Sequence, residues 1–164
     1  MQNISEISKE KIVYIDETGV DTYLQREYCY AKRGEKVLAH VYGRRYIRLG
    51  IVAAQMGKKI LSPLQCSGTM TSQLFEKWFQ DCLLKELPSN SVIVMDNAAF
   101  HRKSHLVLAA QDKGHRIIFL PPYSPELNPI EKFWAWLKQK LKNSVHLFPS
   151  LDDALHYCFN LHYS

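Results

Sequence analysis

Hydrophobic positions along the chain follow two periods, and the switches between them mark out its elements. Residues 11–16 (KIVYID) form a β-branched, aromatic run that ends in a carboxylate and meets the turn-prone Thr18-Gly19 at once. That pattern predicts a first strand closed by Asp16. Residues 28–40 carry an Arg33-Gly34 turn signal and suit a small hairpin. Residues 46–55 (YIRLGIVAAQ) and 59–66 (KILSPLQC) flank Met56-Gly57-Lys58, as two antiparallel strands joined by a short glycine turn would. Proline cannot donate to a ladder, so Pro63 places the second strand at a sheet edge or in a bulge. From Thr71 the spacing changes. Leu74, Phe75, Trp78, Cys82 and Leu83 recur at helical intervals, with Glu76, Lys77, Gln80 and Asp81 between them, which predicts an amphipathic helix ending near Pro88.

Farther on, residues 91–96 (SVIVMD) make a short apolar strand, again ending in Asp. A helix from about residue 101 to 113, closed by Gly114, and a buried strand at 115–120 (HRIIFL) follow. Strand, helix and strand in such close succession imply a right-handed parallel crossover. A proline-rich loop (PPYSPELNP) leads into a helix from Ile130 to about Lys142, and Ser150-Leu-Asp-Asp153 has capping-box spacing at the start of a last short helix. The fold class expected from this order is α/β: a mixed sheet of about five strands flanked by helices, the ribonuclease H-like, retroviral integrase-like arrangement.

Composition narrows the picture modestly. A chain of 164 residues with 46% hydrophobic content can bury one substantial core, so a single domain over 1–164 is expected, with its core at 11–143 and a helical extension at 144–164. A formal charge of +5 suits a polyanionic partner without demanding one. The four cysteines form no close pair, which argues against a zinc knuckle or redox motif. No run approaches the roughly 18 apolar residues of a membrane span, and the N-terminal residues are polar, so a soluble cytoplasmic protein is expected.

Three carboxylates carry the candidate chemistry. Asp16 and Asp96 each close a strand, at the sheet end where α/β folds gather ligands, and Glu131 opens the helix after a loop stiffened by four prolines. At an effective dielectric of about 20, each pair of such charges about 4 Å apart costs roughly 4 kcal/mol. Two divalent cations, Mg²⁺ or Mn²⁺, about 3.5–4 Å apart, would neutralise that crowding with the oxygen ligands that hard cations prefer. Plainer roles compete. Aspartate at a strand end also forms turns. Asn128, Pro129 and Glu131 have the spacing of an N-cap, N1 and N3 capping box.

Asp96-Asn97-Ala98 with His101, then LPPYSPELNPIE at 120–131, then Trp134 and Leu137-Lys138, resembles the catalytic core of mariner-related bacterial insertion-sequence transposases, the insertion-sequence-630 group. The resemblance extends upstream through Asp16-Glu17-Thr18-Gly19, Lys32-Arg33-Gly34 and residues 67–75, so it covers about 12–143. Thirty-four residues lie between Asp96 and Glu131, an interval typical of that group. It implies a DDE triad of Asp16, Asp96 and Glu131 holding two metal ions, and DNA strand cleavage and strand transfer as the activity. It also implies double-stranded DNA as partner, a homodimer on that DNA, and association with the bacterial nucleoid. Two departures stand out. Tyr30 replaces a tryptophan common in relatives, and only about ten residues precede the first strand, too few for an N-terminal helix-turn-helix domain. The chain is therefore expected to be a catalytic half, a frameshift-partner product or a truncated copy. A catalytically silent DNA-binding or regulatory module is the alternative.

Secondary expectations concern surfaces. Ile130, Phe133, Trp134, Leu137 and Leu141 make an apolar stripe, while Glu131, Ala135, Lys138 and Lys142 share another face at 100° per residue, so Lys138 and Lys142 are expected to meet phosphates. Arg44 and Arg45, with Arg48, Lys58 and Lys59, form a second basic stretch expected to touch DNA. Trp136, opposite the stripe, is either an exposed anchor or packed under the last helix. His101 and His105 lie at i, i+4, but Arg102 stands where a metalloprotease motif needs glutamate, so His101 is expected near Asp96, touching substrate or DNA. Glu17 and Asp112 are expected to face solvent.

Overall fold

A computed structural model describes residues 11–21, 48–98, 101–122 and 124–163. The hairpin expected at 28–40, with Tyr30, and the basic pair Arg44 and Arg45 lie outside the described residues. Among the described residues five strands, β1 (Ile12–Asp21), β2 (Arg48–Met56), β3 (Lys59–Ser67), β4 (Val92–Met95) and β5 (Arg116–Phe119), form one sheet in the order β3-β2-β1-β4-β5. The first three pair antiparallel, and β4 and β5 extend the other side of β1 in parallel. The mixed five-stranded sheet expected from the sequence is borne out.

The first strand is longer than its pattern predicts. β1 continues past Asp16 to Asp21; Asp16 pairs with Ala53 and Gly19 with Gly50, so Thr18-Gly19 is ladder and not turn. The antiparallel partner β2 offers hydrogen bonds along this whole stretch, and tertiary pairing overrides the local turn signal. On the other side β4 ends at Met95, and its pairing with β1 runs only to Tyr14↔Val94. Carried two residues further, that register sets Asp96 level with Asp16, one inside a strand and the other just beyond its partner's end.

Pro63 satisfies both expectations made for it. β3 is an edge strand, and pairing passes from Val52↔Leu64 to Ala54↔Leu61, so Ser62 and Pro63 bulge opposite Ala53. The Ser62 carbonyl freed by the bulge accepts the Trp78 indole N–H at 2.6 Å. Met56↔Lys59 closes the two-residue turn, with Gly57 at φ +60.

Helices cover both faces. α1 (Ser72–Trp78) starts where the Thr71 hydroxyl accepts the Leu74 amide at 3.2 Å, and runs through a π-helical turn, Phe79–Leu83, into the short α2 (Leu84–Glu86). The wider turn lets Trp78, Phe79 and Leu83 all reach the interior. With α3 (Lys103–Asp112) they pack on Val13, Ile15, Ile93 and Met95. On the opposite face α4 (Ile130–Ser144) and α5 (Leu151–Tyr163) cover Val20, Ile51 and Ala53 with Ile130, Trp134, Leu137, Leu141 and Leu155. Ser150 caps α5 as expected, accepting the Asp153 amide at 3.1 Å and donating to its carboxylate at 2.6 Å. Trp136 packs rather than projects: it is half-buried, stacked on Phe133 and 5.4 Å from the His162 ring. Among the described residues, no helix is long and apolar enough to cross a membrane.

Trp78→Phe keeps the ring packing but strands the Ser62 carbonyl. It is expected to cost about 1–2 kcal/mol, read as a lower urea midpoint with an unchanged slope.

Candidate active site

Successive side chains of a strand point to opposite faces, so neighbouring Asp16 and Glu17 enter different surroundings. Asp16 turns toward α4, where its Oδ2 accepts the Trp134 indole N–H at 3.0 Å. Buried tryptophan carries a polar N–H that needs an acceptor, and here the acceptor is a carboxylate. Burial pushes Asp16 up to about 7; nearby Glu131 and Asp96 add to the rise, while the Glu17 amide and Trp134 oppose it.

Asp96 follows the last residue of β4, and its side chain is 55% exposed. The Ala98 amide donates to its Oδ1 at 3.3 Å, and His101 Nε2 lies 3.6 Å from the same oxygen. Contact with His101 is the main reason Asp96 is held below the usual carboxylate range, aided by the Ala98 amide. Asp16 and Asp96 thus titrate in opposite directions.

Glu131, exposed in the first turn of α4, completes a cleft of about 370 Å³. Asp16, Asp96 and Glu131 line it together with Asn97, Ala98, Asn128 and the proline-rich segment Pro121, Pro122, Ser124 and Pro125. The capping box that competed as a plainer role for Glu131 does not form: no side chain caps α4, and the Asn128 carbonyl serves the Glu131 amide, at 3.1 Å. Asn128 is buried and its side-chain amide donates to the Ile15 carbonyl at 3.2 Å, so it fastens the loop to β1. Its Oδ1 has no hydrogen-bond partner among the described residues.

Glu17 corrects another expectation. Instead of facing solvent it turns toward α1 and lines a second cavity of about 220 Å³ with Phe75, Asp16, Asp96 and His101. Burial, then Asp96 and Asp16, push it up to about 8. His101, expected to touch DNA, has a side chain only 3% exposed and stands 3.5 Å from Glu17 Oε1. His105 points away, half-exposed and 3.8 Å from Glu76, so the two histidines form no pair. Asp112 is exposed as expected, and Lys138 is half-buried and Lys142 exposed on α4. Glu17 and Trp134 were legible in principle: period-two alternation puts adjacent carboxylates on opposite faces, and an indole in an apolar stripe implies an acceptor.

Three hard carboxylate oxygens at one cleft fit a Mg²⁺- or Mn²⁺-type ion. They are not drawn in, however: among the described residues no group of three or more His, Cys, Asp or Glu side chains is gathered closely enough to hold one. Desolvation of Asp16, ahead of crowding, dominates its electrostatics.

A mixed sheet in this strand order, covered by helices on both faces, is a ribonuclease H-like fold. Residues 11–154 match the family described as DDE superfamily endonuclease, and the chain belongs to it. The DDE family implied by the proline-rich motif is thus borne out. The Mos1 transposase paired-end complex with left transposon end aligns with TM-score 0.67 at 14% identity, over 94% of this chain and 48% of that one. The Mos1 mariner paired end complex with Mn gives the same TM-score, 0.67, and identity, 14%, over 98% and 50%. A simian T-cell lymphotropic virus intasome chain aligns at 0.57 with 18% identity, over 91% and 46%. The uncharacterized protein y4pE/y4sA of Sinorhizobium fredii is 32% identical over 71 residues, 43% of this chain and 49% of that protein. This chain matches about half the length of these proteins. Membership of the DDE endonuclease family implies a dependence on divalent metal.

Asp16 and Glu17 keep protons in the folded state that the unfolded chain, with ordinary carboxyl pKa values of 3.8 and 4.5, has already released. Their contribution is fully present below those values and is lost as pH rises through about 7 and about 8. The metal-free melting temperature is therefore expected to fall between pH 5 and 8, and Asp16→Asn to flatten that fall. A calorimetric pH series checks both.

Proposed function

We propose that this chain is the catalytic domain of a DNA transposase, in which Asp16, Asp96 and Glu131 hold two divalent cations, Mg²⁺ or Mn²⁺, against a phosphodiester of double-stranded DNA. One observation carries the proposal: carboxylates from β1, the end of β4 and the start of α4 line a single cleft in a chain of the DDE endonuclease family. When bound, the cations activate the attacking oxygen and stabilise the leaving one.

The chain's own groups prepare that cleft. Trp134 orients Asp16 through its indole N–H, and Asn128 anchors the proline-rich wall to the carbonyl of Ile15. Holding those side chains before substrate arrives lowers the reorganisation left for the reaction itself. Lys138 and Lys142 on α4, with Arg44 and Arg45, supply cationic contacts to phosphates, a term that depends on salt and not on sequence. Cleavage and strand transfer are one exchange with two nucleophiles. In the first, water attacks the phosphorus and the 3′-oxygen leaves as a 3′-hydroxyl; in the second, that hydroxyl attacks a target phosphodiester and the target strand's own 3′-oxygen leaves.

The transposon ends and target, pairing of two copies on DNA, and nucleoid association belong to the same proposal. The Mos1 paired-end complexes support it by shared fold. A silent DNA-binding or regulatory module is the second reading, favoured by the ungathered carboxylates.

Mn²⁺-dependent nicking of duplex DNA tests the choice. Asp96→Asn is expected to lower the rate by about 10²-fold or more, and equal rates in both proteins would refute the triad. Lys138→Ala and Lys142→Ala are each expected to reduce the slope of log affinity against log salt by about one; unchanged slopes would remove them from the interface.

A further inference from the structure

Asp16 is held inside a ladder, whereas Asp96 has left the sheet and depends on the segment after it for orientation. That segment is clamped at several points. The His101 amide donates back to the Ala98 carbonyl at 3.3 Å. Arg102, the next residue, makes a two-pronged ion pair with Glu76 of α1, 2.6 Å at each contact. The His101 ring lies 4.3 Å from the ring of Phe75, itself almost fully buried. Glu17 approaches the same imidazole nitrogen from β1, on the face of the sheet away from Trp134.

The outcome is one buried nitrogen, His101 Nε2, set between two carboxylates from different strands, 3.5 Å from Glu17 and 3.6 Å from Asp96. With the side chain 3% exposed, a DNA phosphate has little access to it, which leaves the ring nitrogen directed at protein groups. Resting on the assignment of Asp96 as a cation ligand, we infer that His101 and Glu17 form a positioning pair: His101 holds Oδ1 of Asp96 and Glu17 steadies His101, so that the other Asp96 oxygen is presented to the cleft. Partners in a ligand's outer shell commonly matter nearly as much as the ligand itself, because they fix its angle before the ion arrives.

Calorimetric titration of the whole chain with Mn²⁺, without DNA, tests the pair directly. His101→Ala is expected to raise the Mn²⁺ Kd about tenfold or more. His101→Gln, whose amide N–H can stand near the Nε2 position, should recover most of that loss. Glu17→Ala should weaken binding in the native background and add nothing to His101→Ala, the non-additivity expected if Glu17 acts through the histidine. Duplex-DNA affinity and its salt slope should be unchanged in His101→Ala. The inference is overturned if His101→Ala binds Mn²⁺ as tightly as the native chain, if Gln rescues no better than Ala, or if the salt slope falls and marks His101 as a phosphate contact. Asp96→Asn separates the two levels: native Mn²⁺ binding in that variant sinks the metal-site proposal itself, whereas lost binding there with native binding in His101→Ala sinks the positioning pair alone.

Discussion

A carboxylate buried within a β-strand is the constraint around which this domain is arranged. Asp16 has ladder partners on one side, a helix above it and little water, and burial alone raises its proton affinity strongly. Such a group persists only where donors meet it. The Trp134 indole does so from α4, and that contact, with the Asn128 amide on Ile15, sets where α4 starts relative to β1. Glu131 comes to the cleft because α4 is seated that way, and the apolar stripe Ile130, Phe133, Leu137 and Leu141 then fills the rest of that face.

The second face has a different logic. There the core packs Phe75, Trp78, Phe79 and Leu106 against the sheet, and the polar groups concentrate at one end, where Glu17, His101, Glu76 and Arg102 meet. The π-helical turn serves the packing, since it brings adjacent Trp78 and Phe79 inward together. Apolar bulk and polar clamps thus occupy separate parts of one interface, which leaves the loop after β4 tied to α1 as well as to its own helix.

Much of this was legible along the chain. Period-two and helical spacings located the described strands and main helices, and Pro63 announced both edge and bulge. Failures fell where a distant partner overrules a local signal. Thr18-Gly19 looks like a turn, yet β2 supplies a ladder for it. Asn128 has N-cap spacing, yet its amide is taken by Ile15, far away in sequence. Glu17 looks like a surface charge until its neighbour's direction and the position of His101 are known together. The electrostatics were misjudged for a related reason: spacing suggested repulsion among the acids, whereas depth in the fold, invisible to spacing, has the larger effect on Asp16.

Adjacency of Asp16 and Glu17 has an evolutionary corollary. A strand's two sides are told apart only by parity, so one residue inserted or deleted in β1 before position 16 would turn each acid to the opposite face of the sheet, the glutamate to the tryptophan's side and the aspartate to the histidine's. Composition would be nearly untouched and both acids would survive, yet each would arrive at the wrong partner with the wrong reach. Drift in this stretch is therefore restricted to replacements that conserve its length.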